Sequence, residues 1–196
     1  MDICLNTTTK KEGLLAIAAK DWLLVLWLSS LGWIWEMVYG FLFFGRFSNS
    51  GFLGLPICPI YGLTIIGFFY LIGTPHRGRY ALKRIKSVFW RYVVYALFAF
   101  LLPSLVELGV GALFNRVWEV RLWNYSAQPL NIGGYVSLPI SLAWTVALTL
   151  FMRIFFLPMR TFFQSARTKP AVIAAVISAI VVATDFVYNL ALLILR

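Results

Sequence analysis

Apolar positions in this chain fall into long unbroken runs. They follow neither the strict alternation of a half-buried strand nor the one-sided stripe of a soluble helix. Five runs stand out, over residues 22–44, 55–73, 88–113, 135–157 and 171–195. Each is close to the roughly 20 residues a helix needs to cross a hydrocarbon core about 30 Å thick. The pattern predicts an all-α, polytopic membrane bundle of five transmembrane helices. It forms a single integral domain over 1–196, with 1–21 as a cytoplasmic or interfacial N-terminus and 22–195 as the bundle. Within that N-terminus, residues 12–20 read as a short amphipathic interfacial helix. The run at 55–73 is the irregular one, because Pro56 and Pro59 interrupt its start. Its opening, Gly51-Phe52-Leu53-Gly54-Leu55-Pro56, suits a kinked helix start or a broken, re-entrant element. Backbone freed there could bind an anion or a headgroup.

Between the third and fourth runs lies a polar interruption, Trp123-Asn124-Tyr125-Ser126 through Asn131-Ile132-Gly133-Gly134. It is too polar for hydrocarbon and too short for a domain. Asn and Gly favour left-handed turns, and Trp and Tyr suit the bilayer interface, so an ordered cap joining two spans is expected.

Composition agrees with membrane embedding: 61% of the 196 residues are hydrophobic, 12% are charged and the mean hydropathy is +0.85. The first apolar run lacks a small-residue cleavage site, so it is expected to remain as a span. Cys4 and Cys58 are far apart and form no CxxC, which indicates neither a disulfide nor a metal site. The net charge of +10 does not imply nucleic acid, because the basic residues flank the apolar runs. With the N-terminus inside, Lys10, Lys11, Lys20, Arg77, Arg79, Lys83, Arg84, Lys86, Arg91, Arg153, Arg160, Arg167 and Lys169 are cytoplasmic, against Arg46, Arg116, Arg121 and Arg196 outside. The positive-inside rule therefore predicts N-in, C-out, with the cap on the extracytoplasmic side. His76 is a loop residue in a basic turn that meets anionic headgroups.

Candidate chemistry centres on three carboxylates within the runs, Glu36, Glu107 and Asp185. A charge at mid-bilayer costs about 2.5–3.5 kcal/mol on insertion scales, so these groups need partners or water. In the predicted orientation all three fall in the outer half of the bundle and could converge beneath the cap. The expected substrate-binding set is Glu36, Tyr39, Tyr61, Glu107, Arg116, Arg121, Trp123, Asn124, Tyr125, Ser126, Asn131 and Asp185. The alternative for each carboxylate is a structural pairing with Arg46, Arg116, Arg121 or the amides of the cap. Ala175, Ala179 and Ala183 read as close helix packing. No phosphate loop, HExxH or GxSxG is present, and neither a metal nor a cofactor is indicated.

Two stretches together carry a family resemblance. One is Trp35-Glu36 through Gly40 with Gly54-Leu55-Pro56-Ile57-Cys58-Pro59-Ile60-Tyr61-Gly62. The other is Glu107 with Trp123-Asn124-Tyr125-Ser126, Asn131-Ile132-Gly133-Gly134 and Ser141-Leu142-Ala143-Trp144. Over roughly residues 30–150 the chain resembles the family of small multi-pass bacterial membrane proteins named "Putative ABC-transporter type IV", or CmpB-like. Its members commonly carry Asp where Asn124 stands. The resemblance implies a permease in the bacterial cytoplasmic membrane, with lipids as surroundings and a homo-oligomer or a separate subunit as partner. Three readings follow. The first is a transport component with a polar site in the outer half. The second is a membrane-embedded enzyme acting on a lipid or isoprenoid-type substrate, with Glu36 and Glu107 sharing acid–base catalysis. The third is a non-catalytic scaffold.

Overall fold

A computed structural model describes residues 2–45, 52–79 and 81–195, with side-chain surroundings for 13–42, 45, 52–79 and 82–195. Arg46, Gly51 and Arg196 lie outside the described residues, as do the side chains of Cys4, Lys10, Lys11 and Glu12.

The chain is built from helices α1 (Asp2–Phe44), α2 (Pro59–Leu71), α3 (Ala81–Arg84) and α4 (Val88–Trp118). A short hairpin of β1 (Asn131–Ile132) and β2 (Val136–Ser137) comes next. Helices α5 (Leu138–Ile154), α6 (Phe156–Ser165) and α7 (Thr168–Ile194) complete it. Among the described residues, α1 over Gly13–Leu42, α4 and α7 are each long and apolar enough to cross a bilayer. The apolar pair α5 and α6, broken at Phe155, supplies a fourth if it acts as one span. The protein is thus a helical membrane protein.

Element boundaries differ from the sequence reading in informative ways. The first helix takes in the expected interfacial segment and runs without a break to Phe44. The second run yields only 13 helical residues, about 20 Å of helix, preceded by the irregular segment 52–58. The cause is local. Pro59 suits the first helical turn, where its missing N–H is not needed, while Pro56 three residues earlier prevents the helix from starting sooner. Helix α5 begins at Leu138 rather than at 135, because the hairpin claims Val136 and Ser137.

The described residues group into two compact units, one of residues Met1–Leu63 and Pro158–Arg196, the other of Thr64–Leu157. In the first, α1 packs on α7. Leu24, Val25, Leu28, Leu53, Ile57, Ala171 and Ala175 form its buried apolar core. The small side chains Ala171 and Ala175 let the two helices approach closely, as TM helices require when hydrophobicity alone cannot drive association. Trp22 Nε1 donates to Ser178 Oγ across the same contact at 3.1 Å.

In the second unit α4 packs on α5. The two run antiparallel, since Asn115 meets Tyr135 and Ser104 meets Ser141. The buried face of α5 carries Ser141, Thr145, Leu148 and Met152. Its exposed side carries Leu138, Leu142, Val146 and Leu150, the stripe expected to face lipid. At the other end of this unit Tyr95 is fully buried, edge-on to Phe68, and its hydroxyl donates to Gly73 O at 3.3 Å.

Candidate functional site

Each unit carries polar groups that hydrophobic packing does not account for. In the first unit the cluster forms around the irregular segment 52–58 and the start of α2. A chain that leaves helical geometry frees backbone N–H and C=O groups, and in hydrocarbon these must find partners. Here they do. Cys58 N donates to Ser29 O at 2.9 Å, one turn of α1 before Gly32. Ile57 N donates to Leu55 O at 2.8 Å, and Leu55 N donates to Asp185 Oδ2 on α7 at 3.3 Å. The carboxylate is held in turn by Asn189 Nδ2, which donates to Asp185 Oδ1 at 3.1 Å and to the Asp185 carbonyl at 2.8 Å. The backbone near Leu55, one of the places where freed groups could have met an anion, is instead engaged by this protein's own Asp185.

Two glycines make the arrangement possible. A Cβ at Gly54 would stand 3.0 Å from Asp185 Oδ1, and one at Gly32 would run into the ring of Tyr61. With Gly32 bare, the Tyr61 ring lies against α1, and its hydroxyl donates to Glu36 Oε1 in a short hydrogen bond. Glu36 and Asp185 thus grip the same stretch of chain at two points, Tyr61 and Leu55. Tyr39, one turn beyond Glu36, is half-buried, and so is Cys58, whose thiol is free. Beside Asp185 an open, mostly apolar groove of about 440 Å³ is lined by Leu55, Ile180, Val181, Thr184, Asp185 and Tyr188.

Sequence reading missed a second polar group in this unit, where α1 meets α6. Asp21 is 4% exposed and accepts two bonds from Arg160, from Nε at 3.0 Å and Nη2 at 2.9 Å. Gln164 Nε2 adds a third bond at 2.8 Å, and Lys20 Nζ donates to Gln164 O at 2.9 Å. The available signal was an acidic residue just before an apolar run, with an arginine and an amide four residues apart on one face of a later helix.

In the second unit the Trp123–Gly134 segment is an ordered loop that folds back on itself and leads into the β1–β2 hairpin. Asn124 Oδ1 accepts from Ser126 N at 3.0 Å and from Ser126 Oγ at 2.6 Å, an Asx turn that an Asp at this position would also support. Asn131 closes the loop, donating to Gln128 O at 2.8 Å and accepting from Gly134 N at 3.1 Å. Tyr125 N donates to Gly134 O at 2.8 Å. Gly133 and Gly134 both have positive φ, and a Cβ at Gly134 would strike Ser126 Oγ, so the three-residue turn into β2 needs glycine there.

The hairpin is pinned to α4 through Tyr135. Its hydroxyl accepts from Asn115 Nδ2 and its carbonyl from Trp123 Nε1, both at 2.8 Å. Arg116, in the last turn of α4, and Arg121 are exposed and form no ion pair among the described residues. Glu107 is half-buried on α4. Nearby, Gly111 packs under Tyr135 and Trp123, while Gly109 faces open space. On α4, Ser104, Glu107, Gly111 and Asn115 recur at helical spacing. Ser137, which caps the start of α5, and Ser141, Thr145 and Thr149 within that helix recur every four residues. Ser104 Oγ donates to Ser141 Oγ at 3.0 Å and links the two helices at that point, while Thr145 Oγ1 donates back to Ser141 O at 2.7 Å.

Of the twelve expected site residues, the structure joins Glu36 to Tyr61 and anchors Asp185 to the same segment. It gathers Trp123, Asn124, Tyr125, Ser126 and Asn131 into one folded loop beside the hairpin. Among the described residues no group of three or more His, Cys, Asp or Glu side chains is placed to hold a metal ion. His76 is exposed in its turn, with Nε2 3.4 Å from the Tyr92 hydroxyl.

Among curated proteins and solved structures, none matches the chain. A family profile does, over residues 23–190, which takes in the 52–58 segment, the Trp123–Gly134 segment and all of α2, α4 and α5. By that match the chain belongs to the family described as "Putative ABC-transporter type IV".

Proposed function

We propose that the protein is the membrane component of a transporter, with a polar substrate site at the break before α2. The observation that carries this reading is the Tyr61 hydroxyl donated to Glu36 where an irregular segment turns into a short helix. Discontinuous helices with polar groups at the break are a recurring way to build substrate sites at membrane depth, because unwound backbone and intramembrane acids are tolerated only where they are covered or used. Glu36 is the substrate-contacting acid and Tyr61 its hydrogen-bonding partner. A substrate that offers an N–H or O–H donor can displace the Tyr61 hydroxyl from the carboxylate. Asp185, engaged by Leu55 and Asn189, has the bracing role.

The proposed topology is five passes of one membrane domain, N-in and C-out. The second pass combines residues 52–58, at most about 23 Å of extended chain, with about 20 Å of α2, together enough for a core of about 30 Å. Glu36, Glu107 and Asp185 then lie in the outer half, and the Trp123–Gly134 segment faces outward. Having no phosphate loop, the chain takes its energy from a separate nucleotide-hydrolysing subunit or from an ion gradient.

Native mass spectrometry of the purified protein tests the site. The wild type should retain a small bound molecule, and Glu36→Gln and Tyr61→Phe should each lower its occupancy about tenfold with helical content unchanged. Equal occupancy in all three proteins would sink the assignment.

A further inference from the structure

Leu130 holds a backbone conformation and a degree of exposure that are hard to reconcile with a water-facing loop. Its φ is +51°, in the left-handed region that side chains larger than Asn seldom adopt, and its side chain is 73% exposed. Ile132, two residues on and the second residue of β1, is 60% exposed. Asn131 between them turns its amide back to close the loop on Ser126 O and Gln128 O. A glycine or asparagine at 130 would remove both the backbone strain and the exposed apolar surface. Leucine there makes sense only if something apolar covers it.

The pairing of the hairpin indicates what that cover is. Leu138 N donates to Leu130 O at 3.3 Å, and Asn131 and Ile132 pair with Ser137 and Val136, so β1 lies beside the first turn of α5. Leu138 is also the first residue of the exposed stripe continued by Leu142, Val146 and Leu150. Leu130 and Ile132 therefore extend the lipid-facing surface of a membrane helix just past its end. Arg116, in the last turn of α4, and Arg121, in the connection that follows it, are both exposed and without an ion pair among the described residues. Guanidinium groups at that level match the phosphates of a bilayer interface in charge and in fork geometry.

We infer that the hairpin is an interfacial anchor. Leu130 and Ile132 insert at the headgroup–acyl boundary beside α5, while Arg116 and Arg121 bind lipid phosphates. The element fixes the depth of the α4–α5 pair without crossing the membrane, as monotopic amphipathic elements do.

The test uses full-length protein in phospholipid nanodiscs, with Cys4 and Cys58 replaced by Ser and an environment-sensitive fluorophore on a cysteine at 130, 132 or 127. Labels at 130 and 132 should shift to the blue and be quenched at least twofold by lipids spin-labelled near the headgroup. A label at exposed Ala127 should respond to aqueous iodide instead. In a Leu130→Asn background, which suits the left-handed backbone, lipid quenching of the label at 132 should fall about twofold. Iodide quenching at 130 equal to that at 127 would show a water-facing loop and overturn the anchor. Protection of 130 from both quenchers would show protein cover, from a second copy or another subunit, and overturn it equally. Unchanged quenching at 132 in the Leu130→Asn background would also count against it. None of these outcomes bears on the Glu36–Tyr61 site, which lies in the other unit.

Discussion

A methyl group added at Gly62 would collide with the carbonyl oxygen of Val25 and the hydroxyl of Ser29, so the start of α2 can lie on α1 only with glycine there. Gly67, further along the same helix, has no neighbour within 4 Å of such a methyl. The two positions look alike in sequence, and the structure separates them. Gly62→Ala should destabilise the protein by about 1–3 kcal/mol, the usual cost of overpacking. Gly67→Ala should be neutral or stabilising by up to about 1 kcal/mol through helix propensity. Thermal unfolding in one detergent measures both, and equal effects would mean that α2 does not lie where described. Glu36 and Tyr61 show the same limit of residue-level reading. Both were recognisable as candidates, an acid inside an apolar run and a tyrosine after a proline. Their direct hydrogen bond was not, because it depends on Gly32 leaving room for the ring.

Among elements, the contact of α1 with α6 rests on the Asp21–Arg160 pair, with side chains 6% and 23% exposed. Breaking a buried pair strands a charge, typically at about 3–5 kcal/mol, and the partial exposure of Arg160 places this case near about 3. Asp21→Asn and Arg160→Gln should each cost about that much. The double replacement Asp21→Asn with Arg160→Gln should cost less than the sum, because no charge is then left unpaired. Unfolding free energies in mixed micelles report the coupling, and additive losses would argue against the bond. This pair was illegible in advance: 139 positions separate its members, and each end reads as an ordinary flanking charge. Between α4 and α5, Ser137, Ser141, Thr145 and Thr149 stand four apart and so share one face. What the spacing could not reveal is that this face meets Ser104 rather than lipid.

For the molecule as a whole, the distribution of lysine and arginine carries the proposed N-in, C-out arrangement. Alkaline phosphatase fused after the C-terminus should be active, and the same enzyme fused after residue 84, in the basic connection before α4, should be inactive. The reverse pattern would invert the topology, and activity at both sites would reduce the number of passes.

Hydropathy and charge are properties each residue brings with it, so their sum along the chain determined by itself that this is a helical membrane protein and roughly where its helices run. Family membership was legible for a similar reason, because its motifs are short stretches read in order. Tertiary structure alone decided that the second run splits into an irregular segment and a half-length helix, that Glu36 takes Tyr61 as its partner, that Asp185 holds Leu55, and that the polar connection folds back as a hairpin level with the first turn of α5. Each of these depends on which groups meet in space, and on the glycines that let backbone and side chain approach closely enough to bond. Pairings of that kind are not sums over single residues.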